Sequence, residues 1–74
     1  MEHLVVIEQA KGALMCGYGV TPDHAFKILA WTSQRAGDLM VYQVAERLLT
    51  RLSDWEAGPI GPAVLDTCLW QIAD

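Results

Sequence analysis

The sequence predicts an all-α fold: a small three-helix bundle followed by a Pro/Gly linker and a candidate short fourth helix. Three observations carry that expectation. Apolar residues recur at helical spacing, stop and start signals fall together between those stretches, and no alternating strand pattern is present. A chain of 74 residues has room for one small domain, which buries only about 60% of the surface its unfolded chain exposes. Its high apolar content and lack of low-complexity runs exclude a disordered chain.

The first helix is expected from about Glu2 to Cys16, with Ile7, Ala10 and Leu14 on one stripe and Leu4 extending it one turn earlier. Gly17 and Gly19, on either side of Tyr18, supply the backbone freedom for a left-handed stop. Thr21-Pro22 then offers a capping hydroxyl followed by proline at the first helical position, and Asp23 suits the positive end of the new helix. Helix 2 is read over Pro22 to Ala36, with Ala25, Ile28, Leu29 and Thr32 on one face and Gly37-Asp38 as the next stop and cap. Helix 3 has the clearest pattern, since Val41, Val44, Ala45, Leu48, Leu49 and Leu52 all fall on one face.

After Leu52, the stretch "SDWEAGPIGP" packs two glycines and two prolines into ten residues and reads as a linker. Pro62 then opens a fourth helix to Ala73 with Leu65, Cys68, Leu69 and Ile72 on one side. The expected division is a bundle over residues 1–52 and an acidic linker with a short helix over residues 53–74. Trp55 and Trp70 have to cover something apolar, either the bundle or a partner chain.

Chemistry is sparse. Carboxylates are scattered, no nucleophile-base pair can be placed, and no glycine-rich phosphate loop follows a strand, so an enzyme is not expected. Cys16 and Cys68 form no CxxC pattern and are read as free, largely buried thiols; His3 and His24 lack a second ligand at helical spacing. Neither a metal nor another cofactor is expected. No apolar run reaches the roughly 18 residues of a membrane span and the start is not that of a secretory signal, so a cytoplasmic location away from membranes is expected.

The net charge of −4 argues against a nucleic-acid partner until its distribution is read. Residues 9–52 hold all five basic residues against Asp23, Asp38 and Glu46, a net +2, while the acidity sits in the flanks. Gly12 stands inside helix 1, where glycine costs about 1 kcal/mol relative to alanine. Either another helix approaches closely there, or a phosphate meets the open backbone beside Lys11.

The stretches "IEQAKGALM", "GVTPDHAFKIL" and "VAERLL" resemble the ANTAR domain, the RNA-binding output module of bacterial transcription antitermination regulators. The motif positions are Ala10, Lys11, Gly12, Leu14 and Met15 in helix 1; Thr21, Asp23, Ala25, Phe26 and Leu29; and Val44 with Ala45. The resemblance covers about residues 5 to 50. It implies a three-helix bundle that binds RNA hairpins and so prevents termination, driven by a sensor, commonly a receiver or GAF-type domain, in the same chain or on a partner. The chain departs from the pattern at Ala30, Trp31, Leu39, Met40 and Tyr42, in a region where members usually carry Arg or Lys. The interval from Ala25 to Ala45 is also about one residue longer than usual.

The candidate RNA-binding residues are therefore Lys11, Gly12, Lys27, Arg35, Tyr42 and Arg47. The cations would hold phosphates and Tyr42 would stack on a loop base. The alternative is a protein-interaction or homodimerisation module of the same fold with weakened RNA binding, motivated by the missing cations and by Trp31, Met40, Trp55 and Trp70. In that setting the acidic tail could also fold back onto the basic segment.

Overall fold

A computed structural model describes residues 3–55 and 58–73. The expected start at Glu2, and Glu56 and Asp74 of the acidic tail, lie outside the described residues. Four helices form in chain order: α1 His3–Tyr18, α2 Pro22–Ala36, α3 Val41–Ser53 and α4 Pro62–Ala73.

The α1–α2 corner follows its sequence signals closely. Gly19 has φ +72°, a left-handed conformation, and its N–H donates to the Met15 carbonyl at 2.8 Å. Thr21 is the N-cap of α2, its hydroxyl accepting from the His24 N–H at 3.2 Å, with Pro22 at the first helical position. Gly17 does not serve the stop. It lies within α1, which runs two residues past Cys16, and its lack of a side chain makes room for Leu65 of α4.

At the start of α3 the structure corrects the expected cap. Asp38 is not the N-cap; Met40 is, and its N–H donates to the Gln43 Oε1 at 2.8 Å. Leu39 and Val44 stand immediately before the cap and at the fourth helical position, and both join the core, the arrangement of a hydrophobic staple. Drawing Leu39 inward moves the helix start past Asp38.

The core is a single cluster fed by all four helices. From α1 come Val6, Ala10 and Leu14, whereas Leu4 is 67% exposed and Ile7 half-buried, so the stripe is rotated from the expected one. Residues 4–7 are all apolar, and periodicity alone cannot choose their buried face. The faces of α2, α3 and α4 match expectation: Ala25, Leu29 and Thr32; Val44, Ala45, Leu48 and Leu52; Leu65, Cys68, Leu69 and Ile72. Thr32 satisfies its buried hydroxyl by donating to the Ile28 carbonyl at 2.9 Å. Cys68 is buried, but Cys16 is exposed, contrary to the expectation of two buried thiols, because it falls off the Val6–Ala10–Leu14 stripe.

α1 and α3 run parallel: His3 meets Tyr42 near the start of both, and Val6 and Gln9 share a depression with Leu49, Thr50 and Ser53 further along. α4 packs against α2, α3 and α1. Between α3 and α4, the Trp55 indole N–H donates to the Gly58 carbonyl at 3.0 Å.

Candidate nucleic-acid interface

Helical spacing places His24, Lys27, Trp31 and Arg35 along one side of α2, at i, i+3, i+7 and i+11. That side borders a groove of about 590 Å³ between α2 and α4, lined by Lys27, Ile28 and Trp31 on one wall and Asp66, Leu69 and Trp70 on the other, with Tyr18, Val20 and His24 completing it. Trp31 and Trp70 are 47% and 52% exposed and meet edge to face, ring centroids 6.0 Å apart at 87°. The Arg35 guanidinium lies over both indoles, 5.1 Å from Trp31 and 4.9 Å from Trp70.

Tyr18 closes one end of the groove by donating its hydroxyl to an Asp66 oxygen. Burial pushes the phenol well above its ordinary range, and the hydrogen bond and the Asp66 charge push it further, since all three disfavour a phenolate.

The six candidate residues do not form one patch. Lys27 lines the groove and Arg35 covers its two indoles. Lys11, on α1, has only 18% of its side chain exposed and pairs with Glu8 at 3.1 Å. Gly12 is exposed on the same helix, and a methyl group built on it meets nothing within 4 Å. Close helix packing is thus not the reason for glycine at this position. Tyr42 is half-buried and stacks face to face on His3, ring centroids 3.6 Å apart. Arg47 is exposed on α3 and lines a shallow depression with Glu46, Thr50 and Arg51.

α4 lies between the α2 and α3 cations, with Trp70 against Arg35 and the Gln71 Oε1 accepting from Arg51 at 2.6 Å. Among the described residues the tail meets the cations of the basic segment through an indole and an amide, while its Asp66 carboxylate accepts the Tyr18 hydroxyl. Among the described residues the one ion pair is Lys11–Glu8. Sequence reasoning did not find the groove, because nothing in the chain states which side of α4 meets α2.

The described residues hold no cluster of three or more metal-ligating side chains, and no helix is long and apolar enough to cross a membrane. Exposed cations and indoles sit on a small four-helix domain. The ANTAR domain family model matches residues 1–49, and the chain belongs to that family, a family of RNA-binding antitermination output domains rather than of enzymes. α4 lies wholly beyond the matched residues. No curated protein and no solved structure matches the chain.

Proposed function

We propose that this chain is the RNA-binding module of a bacterial transcription antitermination regulator, recognising RNA hairpins whose stabilisation prevents termination. The observation that carries this reading is the state of the cations in the matched segment: Lys27, Arg35 and Arg47 are exposed and none is held by a carboxylate among the described residues. Lys11 is tied only to Glu8, whose side chain is itself exposed. Such a surface pair contributes about 0–1 kcal/mol, so a phosphate can displace it. The open backbone at Gly12 beside Lys11 suits the close approach of a phosphate. Tyr42, once released from His3, presents a ring for a loop base. A sensor of receiver or GAF type, in the same chain or on a partner, supplies the signal, and the module works in the cytoplasm.

A gel-shift titration of hairpin RNAs against unrelated RNA tests this. With Lys11, Lys27, Arg35 and Arg47 on phosphates, the logarithm of affinity falls against the logarithm of salt with a slope of about −3 to −4. Binding no tighter than to unrelated RNA at low salt refutes it.

The exposed Trp31, Met40, Trp55 and Trp70 favour a second reading, a protein-interaction or homodimerisation module of this fold. Light scattering separates the two: a stable dimer combined with no hairpin binding supports the second.

A further inference from the structure

The α2–α4 groove is half built by a helix outside the residues matched by the family model. We propose that it is a nucleotide subsite, which holds one unpaired base against the Trp31 and Trp70 indoles with the adjoining phosphate on Lys27. The proposal rests on the RNA-binding reading and extends it from phosphate contacts to a base.

Size, surface and charge all point to this occupant. A volume of about 590 Å³ lies within the range of small-ligand pockets. Two half-exposed indoles offer stacking area that any nucleobase can use. Lys27 stands in the lining and Arg35 beside it, against a single lining carboxylate. That carboxylate, Asp66, already accepts the Tyr18 hydroxyl with one oxygen, which leaves the other to accept an N–H from the edge of a base. An apolar protein helix fits less well, because Lys27 and His24 interrupt the apolar lining. An acidic peptide has no use for the two indoles.

The test uses the full chain and two labelled hairpins with one stem, the first with an adenine loop and the second with the same loop made abasic. The abasic hairpin is expected to bind about 5- to 150-fold more weakly, the range one stacked base supplies, and only the adenine loop quenches tryptophan fluorescence. Trp70→Leu keeps apolar bulk and removes one of the two stacking faces, so it narrows the gap between the two affinities, and Trp31→Leu combined with Trp70→Leu closes it. Lys27→Gln, at an exposed position, lowers both affinities and reduces the salt slope by about 1.

Equal binding of the two hairpins with no quenching overturns the subsite and leaves the RNA-binding reading standing; failure of both hairpins to bind overturns both. Quenching that follows protein concentration without RNA assigns the groove to a second copy of the chain and also overturns the proposal. Adenosine monophosphate alone separates the two sources of the ligand: quenching that Trp70→Leu weakens makes it a free nucleotide, and silence beside an intact hairpin effect makes it a loop base.

Discussion

Replacing Gly12 by alanine adds a methyl group where nothing lies within 4 Å, at a helical position without positive φ. The added side chain removes backbone freedom from the unfolded chain and clashes with nothing, so the helix gains about 0.5–1 kcal/mol. For a chain of this size that raises the thermal midpoint by roughly 2–8 °C, measurable by circular dichroism at 222 nm. Gly17→Ala carries the opposite sign. A methyl group there overlaps Leu65 Cδ1 and comes within 3.3 Å of its Cγ, and Leu65 is fully buried. Overpacking of this kind costs about 1–3 kcal/mol, against a propensity gain of about 1 kcal/mol, so a net loss of about 0–2 kcal/mol is expected. A fall in midpoint for Gly12→Ala, or a rise for Gly17→Ala, refutes the assignment of open and closed glycines. Measured on the same proteins, hairpin affinity lost in a more stable Gly12→Ala assigns the exposed backbone to RNA contact.

Leu65→Ala should cost about 2–5 kcal/mol, the range for emptying a fully buried leucine site, detectable as a lower urea midpoint; a negligible change would mean that α4 is not part of the cooperative core. Above pH 10 the protein should lose stability relative to Tyr18→Phe. The Tyr18 phenol is shifted upward in the folded state, so its contribution is complete below the unfolded tyrosine value of about 10 and fades as pH rises beyond it. Parallel alkaline curves for the two proteins would contradict this. In the native protein a thiol reagent should modify Cys16 promptly and Cys68 only on unfolding, and two equally fast thiols would show that α4 is not docked.

The elements most legible from sequence were those whose ends are set by local chemistry. Pro22 and Pro62 mark helix starts because a missing N–H and a fixed φ act within one residue, whatever the rest of the chain does. Asp38 misled for the complementary reason: a good capping side chain was outweighed by Leu39, whose burial depends on distant helices. The rotation of α1 was hidden in the run Leu4-Val5-Val6-Ile7, which offers several apolar faces and leaves the choice to α2 and α3. At the candidate site, Lys27 and Arg35 were single candidates in the sequence, and their alignment with Trp31 became visible once the face of α2 that meets α4 was known. The His3–Tyr42 stack and the Trp70 wall join residues far apart in the chain, and no local pattern encodes such contacts.

The missing side chain at Gly17 has a consequence for how this fold tolerates change. Leu65 sits at Gly17 as a key in a slot, and sliding α4 by one turn would bring another residue to the slot and carry Trp70 away from Trp31. The slot fixes the register of α4 along the bundle together with the buried Cys68, Leu69 and Ile72 and the Tyr18–Asp66 and Arg51–Gln71 hydrogen bonds. Insertions beside Gly58 are therefore expected to leave the groove in place, whereas a methyl group at Gly17 is expected to displace Leu65 and with it the α4 wall.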